Sequence, residues 1–221
     1  MDSAHVSLVS LKMNDKGFEE YRCDKNTTLG LNLADLSKIL KMAKGDDTMT
    51  IRAEEDSSSL IIIFENKTTE RFAEFNLNLL NLDTQALGIP DTEYPTYIKM
   101  SSAEFVNLCK DFTALSDNVK IQVSEGVANF SINGKSGTGK ITLKNNNAVK
   151  EESQITIVSQ EDVCCSYGLQ YLNSFAKASS LSNVVCINIS SKFPLMIEYE
   201  IESMGFIKFY LAPKMEEDMT D

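Results

Sequence analysis

The sequence predicts an α+β protein made of two domains of one fold, and three observations carry that prediction. Short runs with alternating apolar and polar residues dominate, only three segments have helical spacing, and a helix followed by two strands occurs twice.

Taken in order, the runs His5–Met13, Thr48–Ala53, Ala73–Leu79, Lys120–Val123 and Ile155–Val158 read as strands with one face apolar. Leu60–Phe64 is continuously apolar and reads as a strand buried on both faces. The helical segments are Leu33–Lys44, Ala103–Phe112 and Leu169–Ala178. In the second, Phe105, Leu108, Cys109 and Phe112 form an i, i+3, i+4, i+7 stripe, with Ser101 or Ser102 as the N-cap.

The repeat relates the first and third helices by a shift of 136, which sets Leu36 on Leu172, Ile39 on Phe175 and Lys41 on Lys177. The next strand puts Thr50-Ile51 on Cys186-Ile187, and the one after it puts Phe64-Glu65 on Tyr199-Glu200 with a shift of 135. The second copy is preceded by a helix and several strands from Tyr97 onward, whereas the first has 35 residues in which to hold their counterparts. Subtracting 136 from 97 gives position −39, so equal copies would place about 40 further residues ahead of Met1, and an incomplete N-terminal domain is expected. The expected domains are residues 1–80 and 96–214. The proline-containing segment 81–95 would join them, and an acidic tail, 215–221, would follow.

With 43% hydrophobic and 24% charged residues, the 221-residue chain has the apolar content for a sizeable core. No stretch of about 18 apolar residues and no leader-like N-terminus is present, so no membrane span and no secretory signal is expected. Five cysteines, none in a CxxC, read as free and mostly buried thiols in a reducing compartment, with Cys164 and Cys165 on opposite faces of a strand. The net charge of −11 argues against a generally basic nucleic-acid binder, which leaves the placement of individual lysines as the deciding feature.

Catalytic patterns are lacking. A single histidine, His5, supports neither a Cys/His metal cluster nor a histidine-based triad, so no metal or other cofactor is expected. Asn133–Lys140 (NGKSGTGK) fails the phosphate-loop pattern because Lys140 precedes Ile141, and it reads as a hairpin turn between strands that end at Ile132 and begin at Lys140. The pairs Glu54/Glu55 and Asp46/Asp47 fall in polar turns.

The segments MDSAHVSLV at Met1, YRCDKN at Tyr21, LSKILK at Leu36, RAE at Arg52, LGIP at Leu87 and YLAPKMEED at Tyr210 occur in order along the whole chain. In these segments the sequence resembles the eukaryotic proliferating cell nuclear antigen family. The resemblance implies a DNA clamp fold, a non-enzymatic homotrimeric ring with helices lining the hole and antiparallel sheets outside. It also implies sequence-independent sliding on double-stranded DNA, nuclear localisation, and docking of DNA polymerase, a clamp loader and other clients through short peptide motifs.

Carried over residue by residue, the resemblance makes Lys38, Lys41, Arg71, Lys110 and Lys177 the DNA-facing residues. Its client pocket maps to Met1, His5, Val6, Leu8, Leu87, Ile89, Pro90, Pro194, Tyr210, Leu211, Ala212 and Pro213. Subunit pairing maps to the strands Glu70–Asn78 and Thr138–Lys144, with Phe75, Leu77, Gly139, Ile141 and Leu143. The family's ubiquitin-accepting lysine aligns with Glu125, which leaves Lys120 or Lys135 as substitutes. Two other readings are a protein-interaction scaffold that binds clients without closing around DNA, and a subunit of a heterotrimeric checkpoint clamp.

Overall fold

The computed structural model describes residues 2, 4–54, 57–81, 92–146, 148 and 153–214. The chain divides into two compact units, one of residues 22–90 and one of residues 1–21 with 91–221. In chain order the elements are β1 (Ser7–Met13), α1 (Leu33–Leu40), β2 (Thr48–Ala53), β3 (Ser59–Asn66), β4 (Arg71–Asn78), β5 (Thr96–Ser101) and α2 (Ser102–Thr113). They continue with β6 (Asn118–Ser124), β7 (Val127–Gly134), β8 (Gly137–Lys144), β9 (Thr156–Ser159), β10 (Val163–Gly168) and α3 (Leu169–Ala176). The last three are β11 (Val184–Ile189), β12 (Leu195–Ile201) and β13 (Gly205–Leu211).

The larger unit holds a six-stranded antiparallel sheet in the order β1-β13-β12-β11-β5-β9 and a four-stranded one, β10-β6-β7-β8. Its core forms where alternate strand residues meet the apolar stripes of two helices: Ile98, Val119, Phe130 and Ile187 pack with Phe105, Leu108 and Phe112 of α2 and Leu169, Leu172 and Phe175 of α3. The rings of Phe175 and Phe209 stack at 4.7 Å, which ties α3 to the six-stranded sheet. Ser101 caps α2 through its hydroxyl, which accepts from the Glu104 N–H. α3 begins without a side-chain cap, and the Leu169 N–H donates instead to the Asp117 carbonyl at 2.9 Å.

The smaller unit is the three-stranded sheet β2-β3-β4 with α1 on one face. Leu60, Ile62, Phe64 and Leu77 form its core, joined by Leu36, Ile39 and Phe75. Asn32 caps α1 by accepting from Ala34 N and Asp35 N. The helix stops at Leu40, four residues before the predicted end at Lys44. The carboxylate of Asp47 accepts from the Lys44 N–H at 2.9 Å and pins a turn there, and Met42 is exposed and gains nothing by extending the helix.

The internal repeat is a structural one. Adding 136 to the bounds of α1 gives those of α3, and adding it to the bounds of β2 gives those of β11.

β1 pairs along its whole length with β13, from Ser7 opposite Leu211 to Met13 opposite Gly205, which places it in the larger compact unit. Strand partners far apart in the chain leave no local trace of this kind. The β7–β8 turn is tighter than predicted, Gly134 pairing with Gly137 across two residues, and a Cβ on Gly134 would collide with the Leu115 carbonyl. Among the thiols, which the sequence predicts to be mostly buried, Cys109 is buried, Cys165 and Cys186 are half-buried, and Cys23 and Cys164 are exposed; none of the five is in a disulfide.

Candidate binding surfaces

Strand alternation decides which of the residues expected to bind partners share a face. Leu8 lies opposite Tyr210, and Tyr210 opposite Met196, so the three form an apolar row across β1, β13 and β12. The Ala212 N–H donates to the Val6 carbonyl at 2.9 Å and carries the pairing one step past the strand ends. Val6, Leu8, Tyr210 and Ala212 are all half-buried. Leu211 is 1% exposed and belongs to the core on the opposite face, which separates it from the surface row expected to contain it.

The chain enters β1 through His5 at φ 57°, a left-handed turn. Asp2 holds that turn: its Oδ1 accepts from Val6 N and Ser7 N at 2.9 and 3.0 Å, and Tyr171 on α3 donates its hydroxyl proton to Oδ2 at 3.2 Å. The Ser7 N–H chiefly keeps the Asp2 carboxyl below the usual carboxylate range. His5 and Pro213 are exposed at the two ends of this region.

Pro194, just ahead of β12, accepts a 2.8 Å hydrogen bond at its carbonyl from the Tyr94 hydroxyl, and the Tyr94 ring meets Phe193 edge-on at 6.1 Å. Burial, with a smaller contribution from Tyr210, pushes the Tyr94 phenol up to about 12, so it stays a neutral donor. Neither Tyr94 nor Phe193 was among the residues expected to form the pocket. The signal available for them was an aromatic beside each of Pro95 and Pro194, where the chain enters a strand. Met1, Leu87, Ile89 and Pro90 lie outside the described residues.

The expected basic residues behave differently from one another. Lys41 and Lys177 are exposed C-caps of the equivalent helices α1 and α3, and Lys110 is exposed in the last turn of α2. Each ammonium thus favours its helix dipole and remains in solvent. Lys38 pairs with Asp35 at 2.8 Å on the exposed side of α1.

Arg71 is held by partners within its own unit. Its Nη1 meets Asp47 Oδ2 at 2.6 Å, Asp47 has a fully buried side chain, and Nη2 donates to the Met42 carbonyl. The Lys44 N–H is the main cause holding the Asp47 carboxyl below its usual range, with Asn66 and Arg71 adding to it. Arg71 therefore closes a hydrogen-bonded network around the end of α1 while its side chain stays 26% exposed.

The strands expected to pair subunits both lie at sheet edges, β4 in the smaller unit and β8 in the larger. Phe75 and Leu77 pack into the small core, and Leu143 and Ile141 into the large one or against it, while Gly139 is half-buried. The outer edge of each strand has no partner among the described residues.

Among the described residues no group of three His, Cys, Asp or Glu side chains is placed to hold a metal ion. Among the described residues no helix is long and apolar enough to cross a membrane.

Two family models match the sequence. Residues 1–86 match the N-terminal domain of proliferating cell nuclear antigen, and residues 88–214 match its C-terminal domain. These matches span nearly the whole chain, and the α+β build with antiparallel sheets and few helices agrees with them: the chain belongs to the proliferating cell nuclear antigen family of DNA sliding clamps.

Proposed function

We propose that this chain is the subunit of a homotrimeric nuclear ring that encircles duplex DNA, raises the processivity of a replicative polymerase and recruits replication and repair proteins. The carrying observation is the apolar row Leu8–Tyr210–Met196, with Pro194 and Tyr94 beside it and solvent-facing lysines on separate helices.

A short helical turn with aromatic and apolar anchors suits an apolar row of this kind, half-buried at Leu8 and Tyr210 and buried at Met196, since such anchors dominate binding energy where water is excluded. Lys41, Lys110 and Lys177 are exposed ammonium groups that suit exchangeable phosphate contacts, as a sliding protein requires. The open edges of β4 and β8 suit head-to-tail pairing, and the reading assigns no catalytic residue and no cofactor.

The test is primer extension on a long single-stranded template with polymerase and clamp loader, read beside light scattering of the protein alone. Longer products in single binding events and a trimer mass support the reading. A monomer that leaves product length unchanged contradicts it. A second reading, a scaffold that binds clients without closing on DNA, is favoured by one observation: no residue of α1 is buried. That reading predicts client-peptide binding with unchanged product length.

A further inference from the structure

The N-terminus of α2 opens on a recess of about 340 Å3 whose wall is Ser101, Ser102, Ala103, Ser153, Ser179 and Asn183. Separate stretches of the larger unit meet there: the junction of β5 and α2, the loop that holds Ser153 ahead of β9, the 3-10 turn Lys177–Ser180, and the residues leading into β11. Apart from Ala103, every side chain in that wall is a neutral hydroxyl or amide. The recess therefore offers hydrogen-bond donors and no charged group.

The way α2 leaves its sheet decides which donors remain. β5 pairs with β11 as far as Ser101 opposite Val184, and the Ser102 N–H then donates to the Asn183 carbonyl at 2.9 Å. The Glu104 N–H goes to the Ser101 hydroxyl at 3.5 Å. Between them, the Ala103 N–H is one of the first-turn amides that a helix leaves without an internal carbonyl, and the dipole of this 12-residue helix puts partial positive charge at the same end. A second, independent observation points to an occupant. Ser102 is 2% exposed and its Oγ has no hydrogen-bond partner; of the four buried side-chain atoms in that condition among the described residues, it is the one in the wall of the recess. A buried hydroxyl left unpaired is costly, and a ligand oxygen held in the recess would accept from it.

We propose that this recess binds a small oxyanion of the phosphate class, as the free ion or as a phosphomonoester, through the Ala103 N–H, the Ser102, Ser153 and Ser179 hydroxyls and the Asn183 amide. The helix end supplies the attraction that a basic side chain would otherwise provide. A tetrahedral oxyanion carries acceptor oxygens on every side, which suits donors that converge from separate stretches of chain, whereas a planar carboxylate would meet fewer of them. Glu104, in the same turn, is exposed and is not part of the wall.

The test titrates the whole isotope-labelled chain with sodium phosphate, and in a second series with O-phosphoserine, against sodium chloride and sodium acetate at matched ionic strength. The expected result is a saturable amide shift at Ala103, together with a melting temperature that rises with phosphate. Ser102→Ala should bind about tenfold more weakly, the loss of one hydrogen bond to a charged group. Asn183→Asp sets a carboxylate in the wall at an exposed position, so the protein stays folded, as its melting curve will show, and the binding is abolished. Saturation by O-phosphoserine assigns a phosphomonoester, and saturation by inorganic phosphate alone assigns the free ion. Saturation by neither overturns the proposal, as does an equal response to chloride or acetate. It is also overturned by parental affinity in Asn183→Asp, or by a saturable shift at Ala34 or Leu169 as large as that at Ala103, since any helix end would then serve.

Discussion

Tyr210 and Leu211 are neighbours in β13 with opposite fates, and replacing each in turn by alanine separates the proposed groove from the core. Leu211 is fully buried between Ser7 and Leu195 in the sheet, so Leu211→Ala removes a core side chain and leaves a cavity. Such changes cost about 2–5 kcal/mol, a large part of the ~5–15 kcal/mol that holds a domain together. Tyr210 is half-buried on the outer face beside Leu8 and Met196, where truncation removes the surface that a client's aromatic anchor would touch. An anchor contact of that kind is worth about 2 kcal/mol, close to a thirtyfold loss of affinity. Calorimetry with a synthetic client peptide and urea melts of both variants measure the two effects. The reasoning predicts that Tyr210→Ala binds about thirtyfold more weakly with a small change in melting, and that Leu211→Ala melts early yet binds normally while folded. Loss of binding in Leu211→Ala at temperatures where it remains folded, with Tyr210→Ala at parental affinity, would refute it.

Replacing Lys41, Lys110 and Lys177 together with alanine should weaken DNA association and flatten its salt dependence while shifting stability little, since each side chain is exposed; salt titrations of binding, with circular dichroism melts, check this. Arg71→Ala should lower the melting temperature and leave DNA association unchanged, because it strips a buried carboxylate of its ion pair. The Asp47 carboxyl is lowered from 3.8, so its stabilising contribution is complete above that pH and lost as pH falls through and below it; acid melts of the parent should show the loss and Arg71→Ala a smaller one. Gly205→Ala should loosen β1 from β13, seen as faster amide exchange in Ser7–Met13, because Gly205 sits at φ 140° and a Cβ there would strike the Lys12 carbonyl. A thiol reagent should label Cys23 and Cys164 quickly and Cys109 only on unfolding, since burial pushes the Cys109 thiol up to about 12; mass spectrometry of the labelled peptides decides it.

The elements were legible where local pattern governs them. The Phe105–Phe112 stripe predicted α2 almost to the residue, and the 136-residue shift predicted that α1 and β2 recur as α3 and β11. Pairing between distant strands was not legible: nothing within Ser7–Met13 says that its partner is Gly205–Leu211. Lysines placed by resemblance reached solvent when they cap helices, as Lys41 and Lys177 do. The ion pair of Arg71 was not legible, because it forms with Asp47, a residue 24 positions away whose carboxylate reads from sequence as a solvated turn. Tyr94 and Phe193 escaped notice because their contact with each other, across 99 positions, exists only after folding.

Retention on DNA by topology tests the sliding-clamp reading most directly. The protein is loaded onto a nicked circular duplex with a clamp loader, freed of unbound protein at moderate salt, and the circle is then cut once. A closed ring stays on the circle and departs from the linear ends within the time needed to diffuse to them. Protein that persists on the cut DNA as it did on the circle, or that never remains on the circle at all, contradicts the account.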